Sequence, residues 1–140
     1  PYIAASLYGL DIWGDFLFSD VENGKNSYTE SARPMGFNIG AEYKFDIGEW
    51  GKIAPTLRYS WIDTDGRGIK MSDGVRDANA SNTYNAGQSV YVGVNWYIVG
   101  NSVKFQLGYE WAQLNGAQDG KVAKGHADAN AVRAQMQLLF

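Results

Sequence analysis

Apolar and polar residues alternate two by two in six stretches of this chain, the spacing of strands whose two faces meet different surroundings. The first lies within Tyr2–Ser19 and sets Tyr8, Leu10, Ile12, Phe16 and Phe18 against Asp11, Trp13 and Asp15. In "FNIGAEYKF", Phe37, Ile39, Ala41, Tyr43 and Phe45 oppose Asn38, Gly40, Glu42 and Lys44. In "IAPTLRYSW", Ile53, Leu57, Tyr59 and Trp61 oppose Ala54, Thr56, Arg58 and Ser60. "VYVGVNWY" and "VKFQLGYEW" repeat the pattern, with Val90 to Trp96 and Val103 to Trp111 on the apolar side. The closing "ANAVRAQMQLLF" puts Val132, Ala134, Met136, Leu138 and Phe140 on one side and Arg133, Gln135 and Gln137 on the other. The pattern predicts an all-β, antiparallel chain of about six strands, with residues 1–140 a segment of a single domain.

Charge separates the two faces. Asp11, Asp15, Glu42, Lys44, Arg58, Lys104, Glu110 and Arg133 all fall on the non-aromatic side of the six stretches, and no charge falls on the aromatic side. The connections alternate as well. "IGEWGK" and Gly100-Asn101 are short, whereas the links over about 20–36, 62–88 and 113–128 are long and polar. Pairing Val99 with Ser102 across the Gly100-Asn101 turn sets Trp96 opposite Phe105, Val92 opposite Tyr109 and Asn95 opposite Gln106. Like meets like along the hairpin, and a slip of one residue would destroy the match. Pro55 lacks a ladder donor inside the third stretch, which predicts a bulge there.

In a soluble sandwich the aromatic face would be the buried core; in a membrane barrel it faces lipid and the polar face lines water. Aromatics gather near both ends of the strands. Phe16, Phe18, Phe37, Trp61 and Trp111 lie on the long-loop side, and Phe45, Trp96 and Phe140 on the short-turn side. These are the two girdles of a membrane interface, and with short turns at one end and long loops at the other they favour the lipid reading. Composition agrees: 14% aromatic residues, 17 glycines and only three prolines suit strands. No run approaches the roughly 18 apolar residues of a membrane helix, a test that alternating strands escape. Fifteen acids against 12 bases argue against a nucleic-acid partner, and the absence of cysteine removes disulfides and thiolate metal sites. The opening "PYIAASLYGL" has no basic start or cleavage pattern.

The runs "PTLRYSWIDTDG" and "VYVGVNWYIVGNSVKFQLGYEW", followed by the aromatic-terminated strand, resemble the C-terminal part of the phosphate-selective porin O and P family. "SLYGLDIWGDFLFSD" is similar to an upstream strand of that family. The resemblance implies a barrel of about sixteen strands in the bacterial outer membrane, a homotrimer passing anions through a water-filled pore. It also implies that the terminal aromatic, Phe140, is read by the barrel-insertion machinery. Six strands fall short of the smallest single-chain barrel, and an open edge is untenable in lipid. The chain is therefore expected to be the C-terminal portion of a longer porin, with the bilayer, lipopolysaccharide and small solutes as partners.

The pore-lining candidates are Lys44, Arg58, Lys104 and Arg133, with Asp11, Asp15, Glu42 and Glu110 as equal and opposite charge. That balance departs from an arginine- and lysine-lined phosphate path, so phosphate selectivity has no support in these residues. Closing the second hairpin around Gly48–Gly51 is expected to pair Glu42 with Arg58, and level strand ends to pair Glu110 with Arg133. Cross-strand pairs of that kind stabilise a wall by roughly 0.2–1 kcal/mol each. The loop acids Asp63, Asp65, Asp73 and Asp77 match no EF-hand spacing and read as solvated charge rather than a cation site. The single histidine, His126, has no serine in a nucleophile motif to serve, so a barrel hydrolase is disfavoured. An envelope anchor is the other alternative, without a docking motif to carry it. The sequon at Asn79–Ser81 carries no weight, and no cofactor or metal is expected.

Overall fold

The computed structural model describes residues 1–20, 33–65, 69–70, 83–99, 102–115 and 127–139. Its strands are β1 (Tyr2–Leu7), β2 (Leu10–Phe18), β3 (Met35–Tyr43), β4 (Phe45–Asp46), β5 (Lys52–Asp63), β6 (Ile69–Lys70), β7 (Thr83–Tyr84), β8 (Ala86–Val99), β9 (Val103–Asn115) and β10 (Ala127–Leu138). One antiparallel sheet runs in the order β1-β2-β3-β5-β8-β9-β10, with β4 also on β5, and β6 and β7 form a separate small hairpin. The outer edges of β1 and β10 are not paired to each other, so the sheet is open.

The first predicted strand is in fact two. Tyr8 and Gly9 both take positive φ, 48° and 87°, and Leu7 pairs with Leu10 across them. This is the two-residue primed turn that suits the twist of a hairpin. Tyr8 keeps up the apolar alternation and the turn lacks an Asn-Gly or Asp-Gly, so periodicity reads straight through it. Tyr8 therefore sits in a turn and not on the aromatic face.

The second hairpin closes at Asp46↔Lys52, around a 3₁₀ turn at Gly48–Trp50. Gly48 N donates to Asp46 Oδ1 and Gly51 N to Gly48 O. Gly51 has φ 90°, and a Cβ there would collide with the carbonyl oxygen of Tyr97, so only glycine fits. No bulge marks Pro55. Instead the ladder to β5 breaks between β3 and β4 at Lys44, beside the position where Pro55 has no N–H to give. The register Trp96↔Phe105, Val92↔Tyr109 and Asn95↔Gln106 is as expected. Nearer the turn it departs: a shift between Tyr97 and Val99 pairs Val99 with Val103, not Ser102. The ends of β1 and β2, of β4 and β5, and of β8 and β9 that the short links join all lie at one end of the sheet.

The polarity of this sheet is inverted relative to a water-soluble fold. Leu57 and Val92 are each 55% exposed, whereas Asn95 is 3% exposed and Glu42 8%. Among the described residues no second layer covers the aromatic face, and the burial comes from polar side chains packing on one another. The apolar band is also slanted across the register. Its long-loop edge runs through Phe18, Met35, Trp61, Val90, Trp111 and Val132, with Asp63, Gln88, Gln113 and Asn130 the next residues out on β5, β8, β9 and β10. Followed through the pairings, that edge drops by six residues over five strand-to-strand steps. With about 3.4 Å per residue and about 4.8 Å between strands, a level edge requires a strand tilt of about 40°. Bands such as Ile53–Trp61 and Val103–Trp111 then stand about 21 Å tall, and Met35–Phe45 about 26 Å.

Candidate functional site: the polar face

Beta-strand alternation and the paired register put all eight charged candidates, Asp11, Asp15, Glu42, Lys44, Arg58, Lys104, Glu110 and Arg133, on one face of the sheet. Seven of them divide into two clusters, and Asp15 stands apart, accepting from Asn38 Nδ2. Nearer the tight turns, Lys44 Nζ donates to Asp11 Oδ2 at 2.5 Å and lies 3.4 Å from Glu42 Oε1. Asp11 also accepts from Ser6 Oγ. Glu42 is met almost wholly by neutral donors: Asn95 Nδ2 at 2.7 Å, Tyr97 Oη at 2.9 Å and Thr56 Oγ1 at 3.4 Å. Asn95 Oδ1 in turn accepts from Gln106 Nε2 at 2.7 Å, so the network crosses β3, β5, β8 and β9. The ammonium groups of Lys44 and Lys104 stand 5.4 and 4.8 Å from the centre of the Tyr97 ring.

The second cluster is built on Glu110. Arg133 Nη2 lies 2.5 Å from Glu110 Oε2, as the level ends of β9 and β10 predict. Arg58 Nη2 reaches Glu110 Oε1 at 3.3 Å, passing from β5 over the intervening β8. Its guanidinium lies 5.3 Å from the centre of the Tyr91 ring, and that ring rests where Cβ atoms at Gly93 and Gly108 would be. Glycine floor, phenol ring and guanidinium thus form three layers.

The expected Glu42–Arg58 pair does not form. Glu42 faces Thr56, and Arg58 faces Gly40, because the turn at 47–51 closes the hairpin two residues away from the register that pairing needs. Sequence reading also missed the aromatic–glycine packing, Trp13 over Gly40 and Tyr91 over Gly93 and Gly108. The clue was present: Trp13 and Tyr91 are large rings on a mostly polar face, Trp13 opposite Gly40 in register and Tyr91 two residues from Gly93, which pairs with Gly108.

Outside this face the chemistry is sparse. Asp63 Oδ1 accepts from Asp65 N, and Asp65 Oδ2 from Arg33 N, so these acids order backbone. Among the described residues no group of three His, Asp or Glu is placed to hold a metal ion. Asp73, Asp77, the Asn79–Ser81 sequon, His126 and Phe140 lie outside the described residues. At the long-loop edge of the aromatic face, Tyr59 Oη donates to Gln88, Gln88 to Gln113, and Gln113 to Asp128. Below that rim of amides stand Phe37, Tyr59 and Trp61, their rings 5.7 Å apart in pairs.

An antiparallel sheet with an apolar outer band, aromatic rims and a polar, charged opposite face belongs to the class of outer-membrane β-proteins. The chain matches the family described as phosphate-selective porin O and P over residues 24–140, and it belongs to that family. It is accordingly a porin of the bacterial outer membrane, and the family is one of channels rather than enzymes. Comparison with curated proteins and with solved structures returned no match.

Proposed function

We propose that the polar face lines a water-filled channel for passive diffusion of small hydrophilic solutes and ions. The carrying observation is the slanted apolar band. A band about 21–26 Å tall, level only if the strands tilt by about 40°, has the height and tilt of a lipid-facing barrel wall. In hydrocarbon the unpaired edges of β1 and β10 require partners, so the sheet is one arc of a closed barrel completed by further strands. A total of about sixteen strands in a trimer is part of this reading, supported by the family resemblance. The rim of Gln88, Gln113 and Asp128 then meets the lipopolysaccharide headgroup region. Phe140 serves as the insertion signal, and residues 1–140 form part of a single barrel domain.

The charge pattern supports a weakly selective channel rather than a phosphate path. Lys44 is held by Asp11 and Glu42, and Arg58 and Arg133 share Glu110, so among the described residues three of the four candidate cations on this arc are paired with acids, and Lys104 stands over the Tyr97 ring. The complete protein in planar bilayers should show an ohmic conductance that rises linearly with salt concentration. Absence of conductance from inserted protein would overturn the channel reading in favour of a structural barrel.

A further inference from the structure

Four rings stand on the polar face, and they are used differently. Tyr2, opposite Asp15 on the edge strand β1, is exposed. Tyr97 is buried, its hydroxyl on Glu42 and two ammonium groups beside its ring. Tyr91 is capped by the Arg58 guanidinium. Trp13 is partly exposed and lies against Gly40, where a Cβ would overlap its Cζ2 and Cε2. Among the described residues no ring or cation packs on its other side. Among the rings on strands paired on both sides, it is the flat apolar surface left uncovered, in the middle of the membrane band.

Its neighbours in register are hydrogen-bonding groups. One row towards the long loops, Asp15 Oδ2 accepts from Asn38 Nδ2 at 3.1 Å and Asn38 Oδ1 from Ser60 Oγ at 2.9 Å. One row towards the tight turns stand Asp11 and Glu42, with Lys44 on both. An indole face between two rows of carboxylate and amide groups is poorly suited to an inorganic anion, which Asp11, Asp15 and Glu42 repel. It suits a ring that is apolar on its flat side and rich in hydroxyls at its edge. A pyranose has that form: its axial C–H groups pack on the indole, and its equatorial hydroxyls donate to Asp15 and Asp11 and accept from Asn38.

We propose that Trp13, flanked by Asp15, Asn38 and Asp11, is a stacking site for neutral saccharides passing along the channel. The inference rests on the channel reading above and adds a substrate class to it. The test is the complete protein in planar bilayers in potassium chloride, with maltotriose and glucose added as probes. The conductance of each variant without sugar is its own reference. Maltotriose should block the current in a saturable way, and glucose more weakly. Trp13→Ala should raise the half-blocking concentration about tenfold, the scale of one lost ring contact, and Trp13→Phe by less. Should Trp13→Ala fail to insert, Gly40→Ala keeps the indole but pushes it off its floor and should weaken the block likewise. A conducting wild-type channel that maltotriose does not block, or a block unchanged in the Trp13 and Gly40 variants, overturns the saccharide site and leaves the channel standing. Loss of conductance in the wild type overturns the channel itself.

Discussion

Two carboxylates on this wall have opposite surroundings. Glu42, on β3, is met by Asn95, Tyr97 and Thr56, neutral groups whose buried dipoles need an acceptor, with the Lys44 ammonium 3.4 Å away. Glu110, on β9, is shared by two guanidiniums, one of them on a side chain 62% exposed. The first arrangement welds four strands through hydrogen bonds that have no alternative in a water-poor site. Glu110 is as buried as Glu42, 9% exposed against 8%, but its partners are guanidiniums on more exposed side chains, which in the proposed channel a solute ion can reach. In the proposed channel the first acid is architecture and the second sets the field of the lumen.

Breaking the first should cost stability. Glu42→Ala leaves the amide of Asn95 and the phenol of Tyr97 buried without their acceptor, a loss of about 3 kcal/mol. Urea unfolding from lipid or micelles checks this, with Glu42→Gln expected to lose less because it keeps an acceptor oxygen. A Glu42→Ala variant as stable as the parent would remove the distinction between the two acids.

Breaking the second should change selectivity with little change in stability. Glu110→Gln frees Arg58 and Arg133, and the anion-to-cation permeability ratio should rise about two- to threefold, the effect of roughly 0.5 kcal/mol from two guanidiniums on partly exposed side chains. Arg58→Ala should move it the other way by a smaller factor, because Arg133 still faces Glu110. Reversal potentials across a potassium chloride gradient read both. If neither variant shifts the potential, the Glu110 cluster is wall structure like Glu42.

The same contrast explains what was legible in the sequence. Period-two alternation is set by strand geometry alone, so the faces of β3, β5, β8, β9 and β10 and the pairing of Trp96 with Phe105 follow from residue order. The Glu110–Arg133 pair followed because both strands have level ends. The Glu42–Arg58 pair did not form because its register depends on the turn at 47–51, where Gly51 and the Asp46 cap choose a five-residue closure that alternation does not encode. The Tyr8–Gly9 turn was hidden for a related reason: a tyrosine in a left-handed conformation keeps the apolar rhythm while reversing the chain. The reach of Arg58 over Tyr91 and the seat of Trp13 on Gly40 depend on where side chains lie across strands. Alternation names the face of a residue and says nothing of how it lies on that face.

The central claim is that the face carrying Phe105, Leu107 and Tyr109 meets lipid while the face carrying Lys104, Gln106 and Glu110 meets water. Nitroxide labels placed one at a time along β9, in the complete protein reconstituted in lipid vesicles, test it most directly. Collisions with oxygen should peak at 105, 107 and 109, and collisions with a water-soluble nickel chelate at 104, 106 and 110, with a period of two throughout. Equal accessibility of the two sets to the polar relaxant would contradict a membrane-spanning wall.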